Sequence, residues 1–333
     1  MDPGSPTSTP LSALGTAGGV GFLALEAARA RTSERCDAAR AALAGMPRDP
    51  DVAVVLLGSW GRGELTSGSD DDVLVVTTGA RHDGLRPRMH ELAPAFPGGA
   101  SGAQGTFDDV VTVEELATIG LQEDSNRVLT RRMLVLLESA PLLGADVHRR
   151  VLATLLDAYL GGERRDRRPP RFLLNDVVRY WRTVAVDFEA KARAGDDGKW
   201  ALRHAKLRTS RTMLFAGGLL PLLECHHVTA DDAPALLLGE LLQPPTDRIA
   251  AAFLRYEAVD AGVRTLGAYD RFLALLDDPE QRAALEALPR SEAREDPTFQ
   301  ECRRLGREIQ QGLSALLFER EPLRRLVRQY GVF

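Results

Sequence analysis

Two short apolar runs, residues 52–57 and 73–76, enclose a polar turn, and the segment VAVVLLGSWGRGELTSGSDDDVLVV constrains the fold more than any other part of the chain. Runs this short and this rich in Val read as buried strands of one sheet. Gly58 and Ser59 end the first strand. There a residue without a side chain lets the main chain approach a ligand, a hydroxyl can bond a phosphate oxygen, and successive amides can form an anion nest. Asp70 and Asp72 lie two apart at the start of the second strand, so their side chains leave one face and Asp71 leaves the other. A carboxylate pair opposite a phosphate-cradling turn suits Mg²⁺, which takes hard oxygen ligands and prefers sites completed by substrate phosphates. Taken singly, Gly-Ser turns and Asp runs are ordinary loop chemistry; it is their joint placement between two apolar strands that points to a nucleotide.

With Gly58-Ser59, Arg62-Gly63-Glu64 and Ser69-Asp70-Asp71-Asp72 in this order, the stretch resembles the nucleotidyltransferase superfamily that shares the DNA polymerase beta palm. The pattern is the GS-x-x-RGE…SD-x-D variant of bacterial protein-uridylylating and related enzymes. The resemblance implies transfer of a nucleoside monophosphate from an NTP, ATP or UTP, to an acceptor, with release of pyrophosphate. It implies Asp70 and Asp72 as ligands of Mg²⁺ or Mn²⁺. Gly58 and Ser59 would cradle the triphosphate, with Arg62, Glu64 and Ser69 supporting the turn or the nucleotide. The family also places a third carboxylate on a further strand. Residues 106–112, TFDDVVT, read as that strand, with Asp108 and Asp109 on opposite faces; at most one joins the pair, and Asp109 is taken as the third metal ligand. The motif reads the NTP and leaves the acceptor open among protein, RNA and small molecule. The competing reading is a non-catalytic nucleotide-binding or interaction module on the same fold.

At 333 residues, 44% hydrophobic and 27% charged, the chain has room for two ordinary globular domains. A net charge of −5 supplies no global basic field, so extended nucleic-acid binding is not favoured. Three distant cysteines, Cys36, Cys225 and Cys302, argue against a disulfide framework and fit a reducing cytoplasm. No uncharged apolar run reaches the ~18 residues a membrane span requires. Residues 1–19, rich in Pro, Ser, Gly and Thr, read as a flexible tail without the basic region of a signal peptide.

Helical spacing over 20–44 ends at Gly45-Met46-Pro47. After the second strand come a helix around 86–92 and a long Gly/Pro loop, then the third strand and helices over 126–139 and 147–160. A basic, Pro-ended connector at 161–170 separates these from helices over 172–194, 199–217 and onward to 330. The expected architecture is α+β, with a polymerase-beta-like palm over 20–145 followed by an all-α bundle over 146–333. Within the bundle, Lys199, Arg203 and Lys206 fall on one helical face. Lys199 and Lys206 are candidates for the triphosphate, against a solvated stripe balanced by Asp187 and Glu189. Tyr180-Trp181-Arg182 offers rings for a base or for helix packing, and Arg131 and Arg132 offer charge for a phosphate or for local acids such as Glu138.

Overall fold

The computed structural model describes residues 8–80, 92, 95–96, 110–120, 124–161, 166–195 and 198–331. Helix α1, Pro10–Gly18, overturns the expected tail: Thr9 caps it by accepting from the Ser12 amide, Pro10 starts it, and Gly19 closes it at φ 67. Leu11 and Leu14 are buried from it. Helix α2, Leu23–Ala42, leads toward the sheet and turns Leu25, Ala28, Thr32 and Ala39 inward.

The sheet has four strands in the order β3-β2-β1-β4. Strand β1, Val52–Leu56, pairs antiparallel with β2, Val73–Thr77, with Val52 opposite Thr77 and Leu56 opposite Val73. A single helical turn, α3 (Gly58–Gly61), follows β1. Strand β3, Val110–Thr112, runs parallel to β2, with Val75 opposite Val110. Strand β4, Ala140–Leu143, pairs antiparallel with the free side of β1 through a register shift at Val54/Val55.

Both sheet faces are covered, which is why the strands read as unbroken apolar runs. Ala53, Val55, Leu57, Leu74, Val76 and Val111 join the large core shared with the helices. Val52, Val54, Leu56, Val73, Val75 and Val110 face a smaller core with Ala39, Leu43, Trp60, Leu65 and Phe96. The outer edge of β4 is partly occupied, since Arg40 donates to the carbonyls of Leu142 (3.3 Å) and Pro141 (3.5 Å).

Helices α4 (Val113–Ala117, with a capping box from Thr112 and Glu115), α5 (Asn126–Leu137) and α6 (Ala145–Leu160) pack around the sheet. The remainder is helical: α7 (Arg171–Arg193), α8 (Trp200–Arg208), α9 (Ser210–Glu224), α10 (Ala233–Leu241) and α11 (Pro245–Arg255), then α12 (Val259–Asp277), α13 (Pro279–Ala287), α14 (Pro297–Glu319) and α15 (Leu323–Leu326). The helix expected over 199–217 is two helices. Thr209, fully buried at φ −123 and ψ −89, breaks it and turns its hydroxyl back to the Ala205 carbonyl at 2.7 Å. Glu257, at φ 52, lies in the short link between α11 and α12.

The architecture is therefore α+β, mostly helical around a small mixed sheet. One cluster of buried side chains runs from Leu11 through the inner sheet face to Tyr330. Among the described residues no helix is long and apolar enough to cross a membrane.

Candidate active site

The β1–β2 ladder extends one step beyond the strands: the Leu57 amide donates to the Asp72 carbonyl at 2.9 Å. That bond sets Asp72 beside the turn. Gly58 adopts φ 61, and a Cβ there would lie 2.6 Å from Asp72 Oδ2, so only glycine lets the carboxylate rest on the main chain. Asp70 is exposed, and Asp71 is buried on the other side, accepting from Trp60 Nε1 at 3.0 Å and from Arg35 at 3.4 Å. Asp71 and Asp72 therefore make contacts on different sides, Asp71 with Trp60 and Arg35 and Asp72 with the Gly58 main chain, while Asp70 interacts electrostatically with Asp72.

Asp72 is pushed up to about 6, by burial first and then by the like charges of Glu138 and Asp70, against Arg211 and Arg62. A carboxylate in this state favours a nearby cation. The donor set of Asp70 and Asp72 is hard oxygen, which fits Mg²⁺ or Mn²⁺. Among the described residues no group of three or more His, Cys, Asp or Glu side chains is placed to hold a metal. Asp108 and Asp109, and the helix expected around 86–92, lie outside the described residues apart from Leu92.

The half-buried Ser59 hydroxyl has no hydrogen-bond partner among the described residues, while the Ser59 carbonyl accepts from the Glu64 amide at 2.8 Å. Ser69 is engaged locally: its hydroxyl accepts from the Thr66 amide at 2.9 Å and its own amide donates to the Thr66 carbonyl at 3.1 Å, closing the turn before Asp70.

Arg62 and Glu64 are both buried and bonded to each other, Nε to Oε2 at 2.7 Å. Arg62 also donates to Glu138 Oε2. Glu138 accepts on its other oxygen from Arg211 Nη1 at 3.0 Å, and Glu64 accepts from the Tyr269 hydroxyl at 2.6 Å. The chain Tyr269–Glu64–Arg62–Glu138–Arg211 thus ties the turn to α12 and α9. Both residues of the Arg-Gly-Glu motif support the turn.

Of the two lysines, Lys206 is drawn to the site and Lys199 is not. The Lys206 ammonium, on α8, makes no hydrogen bond or ion pair among the described residues. Its ammonium is pushed down to about 8, by burial first and then by Arg282, while Asp70 pulls the other way. Lys199, at φ 57 before α8, pairs with Glu286 at 2.9 Å.

Arg132 is spent elsewhere, fully buried on Asp124 (2.9 Å), Asp176 (3.2 Å) and the Tyr159 hydroxyl (2.7 Å). Trp181 stacks on Phe215 with centroids 5.5 Å apart.

Sequence reasoning offered Glu138 only as a partner for Arg131 or Arg132, whereas it takes Arg62 and Arg211, and it missed Arg211, Tyr269 and Arg282. Only the unbalanced neighbourhood of Arg62 signals that such partners are needed, since their distance along the chain hides them. No family model matches the chain, and no curated protein matches it.

Proposed function

We propose that the chain is a metal-dependent nucleotidyltransferase built on a polymerase-beta-like palm. The observation that carries this reading is the contact of the Asp72 carboxylate with the Gly58 main chain, with Asp70 exposed and interacting electrostatically with Asp72 and Lys206. Asp70 and Asp72 would hold Mg²⁺ or Mn²⁺. When bound, the metal neutralises charge developing on the phosphoryl oxygens and favours the alkoxide form of an acceptor hydroxyl. The Ser59 hydroxyl, which has no hydrogen-bond partner among the described residues, and the main-chain amides of the turn after β1 would hold triphosphate oxygens. Lys206 would offset their charge. Asp109 or Asp108, just before β3 in sequence, would supply the third carboxylate.

In this reading an NTP, ATP or UTP, loses pyrophosphate as its nucleoside monophosphate passes to a protein, RNA or small-molecule acceptor. Three free cysteines suit a cytoplasmic setting for it. Pyrophosphate release from each NTP with Mg²⁺ or Mn²⁺, in buffer and in cell extract, tests it. Release that disappears in Asp70→Ala/Asp72→Ala supports transfer.

Glu138, the further carboxylate near Asp72 among the described residues, is held by Arg62 and Arg211 and is not grouped with Asp70 and Asp72 to hold a metal, which favours one second reading, a nucleotide-binding module without turnover. NTP binding without pyrophosphate release from any NTP would select it.

A further inference from the structure

Helix α12 ends on Asp277 and is followed by Asp278, with no basic residue in its last turn, although a carboxylate at a helix C-terminus faces the negative end of the helix dipole. Asp278 has a local role there, because it caps α13 by accepting from the amides of Glu280 (2.9 Å) and Gln281 (3.1 Å). Asp277 has none. The partners of its carboxylate lie in other parts of the fold: Oδ1 accepts from the Ser67 amide and from Arg31 Nη1, and Oδ2 from Arg31 Nη2, each at 2.8 Å. Its main-chain carbonyl, left over at the helix end, takes the Ser67 hydroxyl at 2.8 Å. Arg31 Nη1 also donates to the Leu65 carbonyl at 2.9 Å. One aspartate thus joins α2, α12 and the segment that leads to Asp70.

Ser67 belongs to the turn that Thr66 and Ser69 close, and Asp70 follows that turn directly. The Asp70 carboxylate is exposed and makes no hydrogen bond or ion pair among the described residues, so its place is inherited from the turn. Helix α12 grips the same segment a second time through Tyr269, eight residues before Asp277, on Glu64. Eight helical residues span about 12 Å, so one rigid helix holds Glu64 and Ser67 at two separate points. The Arg31 and Asp277 side chains remain 34% and 32% exposed, and an ion pair this exposed adds little to global stability. Its effect is local, on the turn.

We propose that Asp277 is a positioning residue: together with Arg31 it clamps the 65–69 turn so that Asp70 stands within reach of the cation shared with Asp72. The cation rests on the proposed function; the clamp on the turn does not.

Two measurements on the full chain test this: Mn²⁺ affinity, read by electron paramagnetic resonance, and amide hydrogen exchange without metal. Asp277→Ala is expected to weaken Mn²⁺ binding about tenfold and to speed exchange at residues 67–71, with the urea unfolding midpoint unchanged. Asp277→Asn keeps an oxygen for the Ser67 amide and should recover part of both losses. An Asp277→Ala variant that exchanges like wild type at 67–71 overturns the clamp. Faster exchange there with Mn²⁺ bound as tightly as in wild type overturns the positioning of Asp70. If Asp277→Ala and Asp277→Asn lose Mn²⁺ affinity equally, the loss is one of charge, and the positioning role is overturned as well. The two readings fail separately. Wild-type chain that binds no Mn²⁺ removes the metal reading, and exchange at 67–71 then decides the clamp by itself.

Discussion

Tyr269 donates its hydroxyl to Glu64 Oε2 at 2.6 Å across 205 residues of sequence. Glu64 Oε1 is buried with no hydrogen-bond partner among the described residues, so Oε2, shared with Arg62, carries the carboxylate's bonding. Tyr269→Phe is therefore expected to cost about 1–3 kcal/mol in urea unfolding, the range for leaving a buried polar group short of a partner. It should also loosen the Gly58–Ser59 turn, seen as faster hydrogen exchange there.

Gly58→Ala combines a left-handed backbone with a methyl 2.6 Å from Asp72 Oδ2. The backbone term alone is about 1–2 kcal/mol. The variant should unfold at lower urea concentration, and any NTP-dependent pyrophosphate release should drop at least about tenfold, since displacing Asp72 loses roughly one charge-assisted contact.

Asp72 should titrate with its midpoint near about 6 in metal-free protein, read from its carboxyl ¹³C shift. Asp70→Asn removes a like charge and should move that midpoint down. Because only the ionised form ligates, Mn²⁺ affinity in the wild type should fall about tenfold per pH unit below that midpoint. Affinity that is flat from pH 7 to pH 5 would contradict this.

His148, on α6, is buried, with Nε2 2.8 Å from Ser139 Oγ. Burial, assisted by Arg149, pushes its ring down to about 4 from the ordinary 6.5. The folded state therefore resists protonation that the unfolded chain accepts. The stabilisation is full above about pH 6.5 and is lost as pH falls through about 4, reaching about 3 kcal/mol. The difference in unfolding free energy between wild type and His148→Gln, followed from pH 7 to pH 4, should narrow by that order.

What could be read from the sequence follows the range of the interaction that decides it. The β1–turn–β2 unit and the different surroundings of Asp71 and Asp72 depend on period-two alternation over neighbouring residues, and both were legible. Helix α1 was legible in principle, since Thr9-Pro10 is a cap followed by a helix-starting proline, but the surrounding Pro, Ser and Gly masked it. Strand β4 is four residues, one of them Pro141, between two strongly periodic helices, and its pairing with β1 supplies the evidence its composition lacks. The break at Thr209 has neither Gly nor Pro to mark it. The distant partner of Arg62 could not be read: Glu138 is 76 residues away and bonded across the fold. Lys199 and Lys206 share a helical face, yet a carboxylate on α13 captures one and leaves the other to the site.

Helix α1 has a consequence for how the protein is made. The Leu11 amide donates to Asp247 Oδ1 at 3.0 Å, 236 residues further along, and α1 packs on α11 and α12. As the chain leaves the ribosome, Leu11 and Leu14 have no surface to dock on until those helices emerge. At about 5–20 residues per second that interval is on the order of 10–50 s. Throughout it this stretch of the nascent chain remains an apolar segment for chaperones to hold.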